Sequence, residues 1–384
     1  YNFQNTAAYE KWIQDLIDEQ RPDGNLPGIV PSSGWGYQWG NGPAWDSALV
    51  IIPWMLYVYQ GDTRVLETAY PAMAKYVDYM TSRAKDGIVS HGLGDWIPVK
   101  TQTPTEVTST GYYYLDAQIV ARTAELLGKA ADAKKYAALA SSIREAYTRH
   151  LYKGNGVYSI GSQTAQSCAL HQGLVPDTER ATVEARLIEA VLRNHAFPDF
   201  GILGSKYVFR ALSAAGRTDL AFAMATKEEH PSFGNWIRRG ATTFWEDWHE
   251  GASRNHIMFG DISAWFYQYL GGIRLADTVS AIAATADPQA VAFKRFIIAP
   301  EPVEGLDWVK AEHDSPYGLI RSEWRRENGA FVLAVEIPVN TEATVYLPVK
   351  PDAQNVTADV PPIKSDRDRM AFRVGSGRYR FCAR

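Results

Sequence analysis

A mainly helical domain followed by an all-β domain is the fold class this sequence predicts. Three observations carry it. Apolar residues recur at helical spacing from the first residues to about 272. The helical segments are joined alternately by short turns and by long loops rich in Gly, Pro and Trp. After Gly271-Gly272 the character changes to β-branched and aromatic runs separated by Pro, Gly and Asn. The expected division is therefore 1–272 for the helical domain and 273–384 for a β-sandwich.

The individual elements follow from the spacing. Met73, Tyr76, Val77 and Met80 fall at i, i+3, i+4 and i+7, with Pro71 suited to the first turn of that helix. Tyr136, Leu139, Ala140, Ile143 and Tyr147 mark a second amphipathic helix. Val183, Leu187, Ile188, Val191 and Leu192 mark a third. Further helices are expected at about 6–20, 44–60, 111–127, 164–174, 202–215 and 256–271. This alternation of short and long connections suits stacked helical hairpins whose longer loops gather on one rim. In the second half, 293–298, 319–324, 331–337 and 343–347 read as strands. Within FVLAVEI, alternate residues Phe331, Leu333, Val335 and Ile337 suit one buried face.

Composition narrows the function. Of 384 residues, 46% are hydrophobic and 21% charged, which excludes a disordered, collagen-like or coiled-coil chain. A net charge of −4 without a basic block argues against a nucleic-acid partner. The longest apolar run, 48–59, is interrupted by Pro53 and is well short of the ~20 residues a membrane span needs. Cys168 and Cys382 are too few for a disulfide framework or a cysteine-rich zinc site, and they leave the compartment open. The chain starts at YNFQNTAAYEKW without an initiator Met, which reads as a piece of a longer chain with further domains upstream.

The sequence holds 12 Trp, 21 Tyr and 14 Phe, and many of the tryptophans stand beside Gly and Asp in loops, as in GWGYQWGNGPAW. Core filling accounts for single aromatics, but glycine-rich loops seldom build cores. Flat rings there suit the C–H faces of sugars. There is no GxSxG elbow, P-loop, HExxH or dinucleotide fingerprint, and the eight histidines lack metal-ligand spacing. What remains is carboxylates among aromatics. ATTFWEDWHEGASRNH holds Glu246, Asp247, Glu250 and His256 beside Trp245 and Trp248; GDWIPVK holds Asp95 and Trp96; GPAWDSA holds Trp45 and Asp46. Glycoside hydrolysis needs two carboxyls flanking an oxocarbenium-like transition state, and aromatic walls exclude water. Structural alternatives stand beside each: Asp46 as a helix N-cap, Asp95 as a turn residue, Glu250 as a solvated charge, and His256 as a core or capping histidine.

At these residues the chain resembles the α-L-rhamnosidases of glycoside hydrolase family 78 over nearly its whole length. The most specific stretch is PSFGNWIRRGATTFWEDW followed by NHIMFGDISAWFYQYLGGI; GPAWDSALVIIPW, GDWIP and FKRFIIAPEP match in order and spacing. The resemblance implies an (α/α)6 barrel, N-terminally truncated here, followed by the β-sandwich. It implies inverting hydrolysis of terminal α-L-rhamnosyl residues from a carbohydrate substrate, with no cofactor or metal. By motif, Glu246 matches the general base. Trp45, Trp96 and His256 match the sugar site, and Asp46, Asp95 and Trp245 beside them are expected to bind substrate with them. Inversion fits carboxyls about 6.5–9.5 Å apart. The family's general-acid motif, D-x-x-x-R-x-E, does not occur between Tyr1 and Trp45, so it is expected before Tyr1, unless Asp95 or Asp247 is the acid. Two alternatives remain: another (α/α)6 glycosidase acting on a uronide or glucoside, with Arg238 and Arg239 as cationic partners, or a sugar-binding, catalytically incomplete fragment.

Overall fold

The helical spacing of the first two thirds becomes a succession of helices: α1 (Thr6–Glu19), α2 (Pro43–Asp46), α3 (Ala48–Gln60), α4 (Arg64–Arg83), α5 (Thr105–Leu126), α6 (Ala130–Leu151), α7 (Gln163–His171), α8 (Arg180–Arg193), α9 (Ile202–Ala214), α10 (Thr218–Ala225) and α11 (Phe233–Arg238). The computed structural model describes residues 1–38, 40, 42–249, 251–275, 288–349, 356–365 and 368–384. Glu250 lies outside the described residues. Two compact units are present. The larger comprises Gln4–Tyr57 and Asp62–Gly260, the smaller Tyr1–Phe3, Val58–Gly61 and Asp261–Arg384.

In the larger unit the helices are of two kinds. On α8 the buried residues are Val183, Leu187 and Val191, one stripe at helical spacing. Burying each such side chain contributes roughly 1.5–3 kcal/mol. On α7, by contrast, every residue from Gln163 to Leu170 is buried, and on α9 nearly all are. The two kinds alternate along the chain and pack in order, α4 on α5, α5 on α6, α7 on both α8 and α9, and α9 on α10. Turns from an enclosed helix to a stripe-buried one are tight at 127–129 and 215–217, whereas the returns at 84–104, 194–201 and 226–232 are longer. The site residues lie on the 84–104 connection, on the segment before α3 and on the loop after α11.

Two helix expectations are revised. Pro71 is interior to α4 and not in its first turn. The helix tolerates it because Pro71 is exposed, so the Glu67 carbonyl that loses its donor faces water. The segment 256–271 is no single helix: a 3₁₀ turn (Ile257–Phe259) is followed by α12 (Ile262–Trp265) and one π turn (Phe266–Leu270). The Gly271 N–H reaches back five residues to the Phe266 carbonyl at 2.8 Å, which closes that π turn.

The smaller unit carries β1 (Ile273–Arg274), β2 (Arg295–Ile298), β3 (Trp308–Ser315), β4 (Gly318–Glu327), β5 (Ala330–Ile337), β6 (Glu342–Pro348), β7 (Val356–Ala358), β8 (Lys364–Ser365), β9 (Arg369–Val374) and β10 (Gly377–Ala383). They form two five-stranded sheets, ordered β1-β2-β6-β9-β8 and β3-β4-β5-β10-β7. All pairs are antiparallel except β2 with β6. Leu333, Val335 and Ile337 of β5 enter the core with Trp324, Val345 and Phe372. Phe331 is only half-buried and packs on Trp324 with ring centroids 5.3 Å apart. The Trp324 indole N–H donates to the Leu270 carbonyl at 2.7 Å, so this large core residue leaves no buried donor unmet. Tyr1, Tyr59 and Tyr267 pack against the same core beside Phe293 and His313.

Candidate active site

The Trp45 segment is built on a turn that only glycine permits. Gly42 has φ 144°, and a Cβ there would stand 2.4 Å from the Gly92 Cα. The loops at 42 and 91–93 therefore touch backbone to backbone. From Gly42 the chain winds into α2, with the Trp45 and Asp46 N–H groups both donating to the Gly42 carbonyl. Trp45 is left half-buried. The Asp46 carboxylate folds back on its own turn, where Oδ2 accepts the Gly42 N–H at 2.9 Å. It is 2% exposed and does not cap α3, whose first amides bond to the Ser47 carbonyl. Behind it the Ser47 hydroxyl donates to Asp116 Oδ2 on α5 at 2.5 Å. Burial pushes both carboxyls well above the usual range. For Asp46 the neighbouring Asp116 adds to the rise, while the Gly42 amide opposes it.

Asp95 and Trp96 belong to the long loop between α4 and α5. Asp95 is fully buried. Its Oδ2 accepts the Gly201 N–H at 2.9 Å and the Thr164 hydroxyl at 2.5 Å; its Oδ1 accepts the Leu203 and Gly204 N–H groups at 2.9 and 3.0 Å. These amides are the first turn of α9, whose N-cap residue, Gly201, has no side chain to do the work. Asp95 is thus an N-cap supplied from another loop, with its negative charge at the positive end of the helix. Burial raises its carboxyl, and the four donors pull the other way. The same contact fixes Trp96: its carbonyl accepts the Ile202 N–H at 3.0 Å, and a Cβ at Gly201 would lie 2.1 Å from that oxygen. Trp96 itself is half-buried. Asp199 holds the rest of the loop by accepting from the Lys100 and Thr101 amides and the Thr101 hydroxyl.

Glu246 and His256 lie on two sides of a hairpin-like loop after α11. The Glu246 N–H donates to the Ser253 carbonyl at 2.8 Å, and the His256 N–H to the Phe244 carbonyl at 2.8 Å. The Ser253 N–H donates to Glu246 Oε2 at 3.0 Å, so one carboxylate oxygen is held and the half-exposed side chain presents the other. Asp247 is turned inward, 9% exposed, and accepts the Gly251 N–H at 3.2 Å. His256 accepts the Met258 N–H on Nδ1 at 3.4 Å and caps the 3₁₀ turn, which leaves Nε2 to carry its proton. Beneath the loop Trp248 is fully buried and stacked on Trp236 at 4.7 Å, and its indole N–H donates to the Phe200 carbonyl at 3.0 Å. Trp245 is 4% exposed, with the Arg254 guanidinium over its ring at 4.7 Å.

The expected residues therefore fall in one linked set of loops. Gly42 meets Gly92; Asp95 and Trp96 bind 201–204; Phe200 is bonded to Trp248 in the Glu246 loop. Trp45, Trp96, Glu246 and His256 keep accessible surface. Asp46, Asp95 and Trp245 are enclosed, and their contacts are with the loops that carry the accessible residues. Sequence reasoning missed Asp116, Asp199 and Ser253. Ser253 acts through its backbone and has no side-chain signal to find. Among the described residues no three His, Cys, Asp or Glu side chains group as metal ligands, and no helix is long and apolar enough to cross a membrane.

Helical hairpins with carboxylates and tryptophans on their long loops, followed by a β-sandwich, define the six-hairpin glycosidase class. Within it, the chain belongs to the family described as the bacterial alpha-L-rhamnosidase 6 hairpin glycosidase domain, whose family model matches residues 1–270; that of the bacterial alpha-L-rhamnosidase C-terminal domain matches 285–360. An alpha-L-rhamnosidase of Streptomyces avermitilis is 31% identical over 396 residues, covering 99% of this chain and 36% of its own length. One from an Alteromonas species is 29% identical over 398 residues, covering 97% and 41%. The crystal structure of the Streptomyces enzyme complexed with L-rhamnose superposes with a TM-score of 0.90 at 29% identity, over 99% of this chain and 36% of that one. The alpha-L-rhamnosidase structure from Dictyoglumus thermophilum gives 0.89 at 32% identity, over 99% and 44%. The chain thus spans well under half the length of the relatives it matches.

Proposed function

We propose that the protein containing this chain hydrolyses terminal α-L-rhamnosyl residues from rhamnosides with inversion, and that Glu246 is its general base. The observation that carries the assignment is the state of the Glu246 carboxylate. One oxygen is fixed by the Ser253 amide and the other is open, which is what a base needs to take a proton from a positioned water. Among the described carboxylates of the aromatic loops, Asp46 and Asp247 are turned into their own turns and Asp95 into the first turn of α9. Trp45 and Trp96 are the walls of the rhamnose pocket in this reading, and His256, a donor at Nε2, binds a sugar hydroxyl. Asp46, Asp95 and Trp245 serve the pocket from behind.

The family membership and the likeness to a Streptomyces enzyme solved with L-rhamnose support the substrate class. The same family membership favours a rhamnoside over a uronide, and Arg238 is engaged with Glu228 at 3.4 Å. The leaving oxygen takes its proton from a second carboxyl, which we place in further domains or segments of the same protein. The test is Glu246→Gln in the whole protein, assayed on p-nitrophenyl α-L-rhamnoside. Turnover should fall about 10²–10⁴-fold while L-rhamnose still binds. Proton NMR of the first sugar released should show the β anomer. Retained turnover removes Glu246 as the base, and an α product removes inversion.

A further inference from the structure

Asp46 and Asp116 form a buried pair of acids that the proposed hydrolysis does not use. Asp46 is 2% exposed and Asp116 fully buried, and each keeps one oxygen, Oδ1, without a hydrogen-bond partner. The fully buried Tyr76 hydroxyl lies beside them and favours the Asp46 carboxylate. Their other oxygens are engaged: Asp46 Oδ2 with the Gly42 amide, and Asp116 Oδ2 with the hydroxyl of Ser47, the very next residue after Asp46. One acid closes the turn that presents Trp45, and the other ties that turn to α5.

Among the described residues, no cation figures in the shift of either carboxyl. The groups acting on Asp46 are the Gly42 amide, Asp116 and Tyr76, and the group acting on Asp116 is the Ser47 hydroxyl; none is cationic. On α4, Tyr79 also senses Asp46, with Arg83 and Asp23 beyond it. His91, whose carbonyl lies against the Gly42 position, has its imidazole pKa lowered by burial first and by Arg83 second. Two carboxylates enclosed together without a cation cannot both stay charged.

We infer that Asp46 and Asp116 retain a proton between them and act as a latch under Trp45, which opens when rising pH removes that proton. Asp46 is a positioning residue in this arrangement, acting on sugar through Trp45. The sugar arm of the inference rests on the reading of Trp45 as a pocket wall; the proton-sharing arm does not. The sign follows from burial. Both carboxyls are raised in the folded state, so the fold holds protons that the unfolded chain has already released. The stabilisation is complete below the ordinary carboxylate range and is lost as pH climbs towards the raised values.

The first arm of the experiment measures unfolding of this chain between about pH 5 and about pH 9, beside Asp46→Asn and Asp116→Asn. The parent should lose stability with rising pH, the unfolding constant growing by up to about tenfold per pH unit for each proton retained. Each asparagine variant should show a shallower slope, because an amide has no proton to lose. A parent whose stability is flat over this range overturns the inference without either variant, and so does a slope unchanged in a variant that folds. The second arm titrates L-rhamnose by tryptophan fluorescence over the same range. Parent affinity should weaken by about tenfold for the unit of pH over which one proton is lost, and affinity in Asp116→Asn should not. Equal pH dependence in both overturns the latch. Failure of L-rhamnose to bind at any pH counts against the rhamnosidase reading, and the first arm then still decides whether the acids share a proton.

Discussion

Replacing Asp95 by alanine should destabilise the larger unit by about 3–5 kcal/mol. The side chain is fully buried and accepts from three backbone amides, those of Gly201, Leu203 and Gly204, and from the Thr164 hydroxyl. The hydroxyl can rotate to another acceptor, but the amides cannot. Each stranded amide costs about 1–3 kcal/mol, so three give a bare range of about 3–9 kcal/mol. Water entering the small space left by the carboxyl brings the expectation into the lower half. Asparagine should cost less, about 1–3 kcal/mol. Its carbonyl keeps the Leu203 and Gly204 amides, while its NH₂ meets the Gly201 N–H donor to donor. Guanidinium unfolding followed by tryptophan fluorescence measures both variants, because Trp96 and Trp248 lie on the loops that α9 supports. An alanine variant within about 1 kcal/mol of the parent would refute the capping argument, as would asparagine costing more than alanine. A direct sugar ligand behaves differently: Asp95→Asn would then lose L-rhamnose affinity with its unfolding curve unchanged.

Two further expectations concern the Glu246 loop. Trp248→Ala removes a fully buried ring stacked on Trp236 and packed on Phe259, and should cost about 3–5 kcal/mol in a thermal or denaturant melt. Ser232→Ala removes the side-chain cap of α11, a hydroxyl accepting the Asn235 N–H at 2.9 Å, and should cost about 1 kcal/mol by the same measurement.

The α8 stripe was legible because a helix buried on one side writes its period into the sequence. The enclosed helices write a weaker one. α5 begins at Thr105, ahead of the expected 111, because Thr108, Ser109 and Thr110 are buried with their hydroxyls bonded to nearby backbone carbonyls. Polar residues inside a core leave no hydrophobic signal. In the sandwich the alternation of FVLAVEI was readable. The strand RMAFRV was not, since Arg373 interrupts its apolar run and Ala371 and Phe372 are buried side by side without alternation. The parallel pairing of β2 with β6 depends on partners far apart in sequence and has no local mark. For the site, residue types and neighbourhoods were legible: aromatics, acids and glycines in the same loops. What each acid does was not. Asp95 and Glu246 look alike in sequence, each beside a tryptophan, yet one meets amides 106 to 109 positions away and the other meets Ser253 seven residues on. Only the folded chain separates a buried cap from an open base.

The aromatic lining of the sandwich has a consequence for inheritance. Phe293 and His313 are met by Tyr1 and Tyr59, rings supplied by segments hundreds of residues upstream, and Tyr267, from the stretch just before β1, stacks on Tyr1. The Tyr1 hydroxyl also donates to the Ile273 carbonyl at 3.0 Å, across the root of the first strand. Recombination that swapped only the tail of the gene would bring in strands fitted to a different set of rings. Successful exchange among relatives would have to carry these tyrosines along or find their equivalents in the recipient. The strands are thus expected to descend together with the upstream segments that complete their unit, as a lineage rather than an interchangeable cassette.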